Sequence, residues 1–219
     1  MSTRFMSGAG ERALQEAVET IERASSAEIV VAVRPRAQRW YAPHAAVGLT
    51  CALALLLYTL YSPIEFTIEL IWAMPLLAGV IGAVLVETVA PLYRFIAPLA
   101  LRRDHVRVAA RAEFVARQVH ATQRRGGILV YIAVRERVVE LIGDIAITRR
   151  FAPEVLARWQ DELAAQIPHG AEAVAQRLAG LAEPLGQALP HHADDLNELP
   201  DAIATIRPRG LRLLHRGSR

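Results

Sequence analysis

Apolar positions change period repeatedly along the chain. Over residues 10–25 they recur at helical spacing, with Leu14, Ala17, Val18 and Ile21 on one face and Glu11, Glu16, Glu19 and Glu22 on the others. This predicts an amphipathic helix that needs a partner to cover its apolar side. Residues 28–34 (EIVVAVR) are apolar on both alternating sets, Ile29, Val31 and Val33 against Val30 and Ala32, the pattern of a central strand covered on both faces. Polarity then disappears: residues 45–61 and 70–86 contain no charged side chain. At about 1.5 Å of rise per residue, ~18 residues reach roughly 27 Å, close to the ~30 Å hydrocarbon core of a bilayer. Trp40 and Tyr41 precede the first run, Tyr58 and Tyr61 close it and Trp72 opens the second, positions that aromatic rings favour at a membrane interface. The connection over residues 62–67 is too short for a domain, so the two runs predict a tight transmembrane hairpin, with Ala78, Gly79, Gly82 and Ala83 supplying small residues for close helix approach. The following stretch, residues 88–101, is interrupted by Pro91, Arg94 and Pro98 and predicts an interfacial segment instead of a third crossing.

Helical spacing returns over residues 104–122, where Val108, Ala112, Val115 and Val119 predict the buried face. Arg124, Arg125, Gly126 and Gly127 end that helix. A doubly apolar strand follows over 128–134 (ILVYIAV), then a charged turn at Arg135, Glu136 and Arg137 and a returning strand over 138–143 (VVELIG). Pro153 sits at the first position of a helix whose Val155, Trp159 and Leu163 share a face. Pro168, His169 and Gly170 stop it, and a last helix over 171–189 is expected to kink at Pro184. Strand, crossover, strand and antiparallel return predict an α/β fold with a small mixed sheet. The organisation read from this pattern is a discontinuous cytoplasmic domain (1–41 and 102–190), a hairpin with its interfacial segment (42–101) and a disordered tail (191–219).

Composition sharpens the membrane reading. Of the 219 residues 53% are hydrophobic, and the excess sits in the stretch 42–101. No arginine occurs between Arg39 and Arg94, whereas Arg34, Arg36 and Arg39 precede the hairpin and Arg94, Arg102, Arg103 and Arg107 follow it. The positive-inside rule then puts both chain ends on the cytoplasmic side. All 25 basic residues are arginine, and the net charge is +3. Much of the positive excess flanks the hairpin or lies in the last residues, so nucleic-acid binding is not expected. The single cysteine, Cys51, falls in the first apolar run, which excludes an intrachain disulfide and a thiolate metal cluster.

Chemistry-bearing motifs are sparse. No phosphate-cradling glycine loop, serine elbow or zinc helix is present. The candidate metal site is Asp144 at a strand end with Glu140 and Glu136, because a hard cation such as calcium or magnesium needs clustered carboxylate oxygens. Glu140 shares its strand face with Val138 and Ile142. Arg124 and Arg125 are candidates to hold a phosphate oxyanion, and His120 a packing or capping histidine. His191, His192, Asp194, Asp195, Glu198 and Asp201 form a second, softer cluster. The arginines of the tail, Arg207, Arg209, Arg212, Arg216 and Arg219, suit an anionic lipid surface.

Two stretches, ERALQEAVETIERASSAEIVVAV (11–33) and HATQRRGGILVYIAVRERVVELIGD (120–144), resemble the TPM domain family. Trp159 and NELPD (197–201) extend the likeness to its bacterial membrane-inserted members. The resemblance implies a three-layer α/β/α sandwich at the bacterial inner membrane. For function it implies either a non-enzymatic interaction or assembly factor, with the bilayer and other membrane proteins as partners, or a divalent-cation-dependent acid phosphatase. The chain departs from the family pattern at Gly143-Asp144-Ile145-Ala146, where a typical member is glycine-rich. The absence of a convergent catalytic set favours the non-enzymatic reading.

Overall fold

Ser7 opens the first helix, α1 (Gly8–Ala24), its side chain accepting the Gly10 amide at 3.0 Å as an N-cap. Leu14, Ala17, Val18 and Ile21 are its buried stripe. The computed structural model describes residues 5–37, 41–122, 125–190 and 204–205. The chain divides into two compact units, one of Met1–Ala37 with His105–Arg219 and one of Gln38–Asp104.

In the first unit β1 (Glu28–Arg34) pairs in parallel with β2 (Gly127–Ala133), from Glu28↔Gly127 to Arg34↔Ala133. β2 pairs antiparallel with β3 (Val138–Gly143), and β4 (Ala204–Thr205) adds two residues parallel to β1 at Ala32 and Val33. The sheet order is β3-β2-β1-β4. A parallel pair needs a long crossover, and here the whole second unit lies in it.

Alternation sends the two sets of each strand to opposite faces. Ile29, Val31, Val33, Ile128, Val130, Ile132, Val139 and Leu141 face one core, shared with Leu14 and Ile21 of α1. Trp159 and Leu163 of α7 (Pro153–Gln166) join it, with Val174 and Leu178 of α8 (Ala171–Ala179) and Leu185 of α9 (Ala182–Ala188). Val30, Ala32, Leu129, Tyr131, Ala133 and Val138 face a second core, closed by Val106 and Ala110 of α5 (Leu99–Ala116) and by Val119 of a short 3-10 turn (Val119–Ala121).

Three expectations are corrected, and one helix appears that was not predicted. The buried positions of α5 are Val106 and Ala110, while Val108 and Val115 are 61% and 63% exposed. The last helix breaks after Ala179, not at Pro184, which sits in the first turn of α9, where its missing N–H costs nothing. A short helix, α6 (Ile145–Arg150), follows β3. Within the tail read as disordered, Ala204 and Thr205 form β4.

The second unit is a helical hairpin of α2 (Ala42–Tyr61) and α3 (Ile68–Thr88), followed by α4 (Ala90–Ile96). Small residues set the helix spacing. A Cβ on Gly48 would lie 2.8 Å from the Gly79 carbonyl, and one on Gly82 would lie 2.8 Å from the Cys51 Sγ. His44 Nε2 and Glu87 Oε2 meet at 2.8 Å across the hairpin. Tyr93 and Ala97 are buried against Val86.

Candidate functional site

The β2–β3 hairpin carries the three acids predicted as a metal site, and each has a different occupation. Glu136 lies in the turn, 3% exposed. Burial pushes its carboxyl pKa up, against the backbone amides of Glu136 and Ala37 and the charges of Arg36 and Arg135. Glu140 sits opposite Tyr131 in the sheet and accepts from Arg107 Nε of α5 at 3.0 Å. Asp144 caps α6, accepting the Ile145 amide at 2.8 Å, and stands 3.3 Å from Arg125 Nε. Four strand residues cover roughly 13 Å, so Glu140 and Asp144 are held far apart, with Glu136 beyond the other end of β3. A cation needs its oxygens in one shell. The structure does not bring the three together, and among the described residues no group of three or more His, Cys, Asp or Glu side chains is placed to hold a metal ion.

Arg125 is a structural clasp. It adopts a positive φ of 55°, its Nη1 donates to the His120 carbonyl at 2.7 Å, and its own carbonyl accepts from the Ala146 amide at 3.1 Å. Together with the Asp144 pair this ties the loop before β2 to the start of α6. The His120 ring stacks obliquely on Phe114, 6.1 Å between centroids. His120 Nδ1 and the Thr122 hydroxyl are buried with no hydrogen-bond partner among the described residues. Arg124, the cluster from His191 to Asp201 and the tail arginines from Arg207 lie outside the described residues.

A network that the sequence reading missed lies on the α5 side of the sheet. Arg34 Nη2 and Arg117 Nε both donate to Glu113 Oε1, each at 2.5 Å. Burial works to raise the Glu113 pKa, but the hydrogen bonds and charges of Arg34 and Arg117 outweigh it and hold the carboxyl below its ordinary value. Beside them the Tyr131 hydroxyl donates to the Ala37 carbonyl at 3.5 Å. Burial pushes that phenol up to about 12. The available signal was phase: Arg34 falls on the same strand face as Val30 and Ala32, so a charge at the end of that face needs a carboxylate across from it.

No family model and no curated protein matches the chain. It is similar in structure to the NMR structure of the BA42 protein from the psychrophilic bacterium Bizionia argentinensis. The TM-score is 0.54 at 16% identity, over 91% of this chain and 94% of that one. At that identity the likeness concerns the fold alone, and with the mixed sheet and its helices it gives an α/β architecture.

Proposed function

We propose that the chain is a membrane-anchored, TPM-like three-layer α/β/α protein whose folded unit serves as an interaction or assembly factor at the bacterial inner membrane. The supporting observation is the apolar surface of the hairpin. Over their most apolar windows α2 and α3 have mean hydropathy 1.6 and 2.1, and only 11% of each window is buried. Core helices of a soluble protein would hide such side chains, yet Leu49, Leu53, Leu57, Leu76, Val80 and Val84 are exposed. An apolar surface of this kind calls for lipid or a protein partner. The candidate acids support the non-enzymatic reading, because Glu140 and Asp144 are engaged with arginines and a helix end.

The test has two parts. Reporters fused at the two chain ends should both read cytoplasmic, and the protein should stay in the membrane fraction after alkaline extraction. Purification in mild detergent should enrich at least one membrane protein over a hairpin-only control. Termini on opposite sides, or release by alkali, would end the anchored reading. Phosphomonoesterase activity that is lost to a chelator and in Asp144→Asn would replace the assembly role with a phosphatase.

A further inference from the structure

A pair of titratable side chains closes the base of the apolar hairpin. His44 is the third residue of α2 and Glu87 the second from last of α3, and His44 Nε2 meets Glu87 Oε2 at 2.8 Å. The imidazole is the better covered of the two, with 15% of its side chain exposed against 49% for Glu87. Its ring is flanked by those of Tyr41 and Tyr93, each 6.4 Å away between centroids. Tyr93 belongs to α4, and it and Ala97 are buried with Val86 of α3. His44 therefore joins α2 both to the end of α3 and to the helix that follows it.

Electrostatics make this junction conditional on a proton. A helix favours an acid at its N-terminus and a cation at its C-terminus. Each member of the pair stands at the opposite end of its own helix, the histidine at the amide end of α2 and the glutamate at the carbonyl end of α3. Closure corrects both at once, because in an antiparallel hairpin Glu87 comes to the amide end of α2 and an imidazolium at His44 to the carbonyl end of α3. That gain needs charge on both groups. With His44 neutral a single hydrogen bond remains, and parting the helix ends no longer separates opposite charges. Histidine ordinarily changes charge between about pH 5 and 8, whereas Tyr41 and Arg39 before it and Tyr93 and Arg94 on α4 keep their state over that range. We infer that His44 and Glu87 form a proton-sensitive latch, which with His44 protonated holds the base of the hairpin closed and α4 seated, and with that proton lost lets both loosen. The inference concerns the hairpin's own geometry and holds whether lipid or protein covers its outer surface.

The experiment uses the full chain with Cys51→Ser in detergent. One cysteine is placed by Ala97→Cys, at a position buried while α4 is seated, or by Phe95→Cys, at a position 88% exposed on the same helix. Labelling by an uncharged maleimide is read as the ratio of the two rates, which removes the pH dependence common to thiols. Raising the pH from about 6 to about 8 should increase that ratio by roughly threefold, the scale of a partly exposed ion pair. His44→Gln keeps a hydrogen-bond donor for Glu87 without a titrating group, and the ratio should then stay flat, as it should in Glu87→Gln. An unchanged ratio in the parent protein would overturn the inference, and so would an equal rise in His44→Gln, which would assign the response to another group. A second readout needs no cysteine at Ala97: the imidazole carbon resonance of His44, followed by NMR, should titrate at a different pH in Glu87→Gln than in the parent. Coincident titrations would overturn the coupling between the two groups.

Discussion

The paired glycines at the start of β2 have unequal duties, and this can be measured. A Cβ on Gly127 would lie 2.1 Å from the Val119 carbonyl oxygen and 2.9 Å from Val119 Cγ1. Ordinary carbon–oxygen contact is about 3.3 Å, so the overlap exceeds 1 Å and falls on backbone, which cannot rotate away. Relief requires shifting either the 3-10 turn at Val119 or β2, and β2 is buried along its whole length between β1 and β3. Overpacking of this kind costs about 3 kcal/mol. At Gly126 the added Cβ would sit 3.2 Å from the Ser26 carbonyl, an encroachment of a few tenths of an ångström. The reduced freedom of the unfolded chain on Gly→Ala returns about 0.4–1 kcal/mol, leaving Gly126→Ala within about 0.5 kcal/mol of neutral. Thermal unfolding in detergent, followed by the fluorescence of Trp159 with Trp40→Phe and Trp72→Phe as background, reports this unit directly. Trp159 is buried, its ring 4.9 Å from that of Phe151. For a chain of this size about 1 kcal/mol moves Tm by roughly 2–4 °C, so Gly127→Ala should lower Tm by roughly 6–12 °C and Gly126→Ala by less than about 2 °C. Equal shifts for the two, or a larger one for Gly126→Ala, would refute the steric account.

Four further outcomes follow from the ionisable groups. Arg34→Ala removes a donor from a half-buried carboxylate and should destabilise the first unit by about 2 kcal/mol, discounted for the partial exposure of Glu113; a change under about 0.5 kcal/mol in chemical denaturation contradicts it. Because the Glu113 pKa is lowered from 4.5 in the folded state, its contribution is present above the ordinary glutamate pKa and is lost as pH falls through the lower folded value. The slope of stability against pH should therefore flatten on the acid side in Glu113→Gln, and an unchanged slope counts against the network. The Tyr131 phenol, raised from 10.0 to about 12, leaves stability intact below its unfolded pKa and lost as pH rises through the folded one, so its ultraviolet titration should lag the other tyrosines and Tyr131→Phe should lessen the alkaline loss. Finally, Asp144→Ala should cost about 1 kcal/mol through the lost helix cap, and Asp144→Asn less. Calcium or magnesium should not raise the melting temperature, and a metal-dependent rise abolished in Asp144→Asn would support a cation site at Asp144.

Local pattern made the strands legible. EIVVAVR became β1 over Glu28–Arg34 and VVELIG became β3 over Val138–Gly143, because runs apolar on both faces have few alternatives in a covered sheet. Helix ends were harder. Pro184 was expected to kink the helix and was accommodated in a first turn, while Gly180, a residue type common at helix C-termini, caps α8, and Leu181 opens α9. The three candidate acids do not converge for a reason of scale: Glu136, Glu140 and Asp144 are close in sequence, but an extended strand spends about 3.3 Å on each residue. Proximity along a strand is therefore poor grounds for a shared ligand, whereas the same spacing on a helix would have put the acids on one face.

The misreading of α5 shows what the apolar stripe is for. Val108, Ala112 and Val115 lie at helical spacing, yet all three are exposed, because the sheet face they would have covered is not wholly apolar. It carries Arg34 near one end, Glu140 toward the β3 edge and the Tyr131 phenol between. A valine stripe laid on those groups would strand two charges, a penalty of several kcal/mol each, far more than the ~1–3 kcal/mol gained by burying one more aliphatic side chain. Turning the helix places Glu113 at Arg34 and Arg107 at Glu140 and keeps Val106 and Ala110 as the apolar contacts. Rotation is thus decided by the polar pairs. The corollary can be checked: replacing Arg34, Glu113 and Glu140 together by Met, Leu and Leu removes the reason for that rotation. Solvent protection should then transfer to cysteines introduced at Val108 and Val115. Continued rapid labelling at both positions would show that backbone connectivity, not charge pairing, fixes the face.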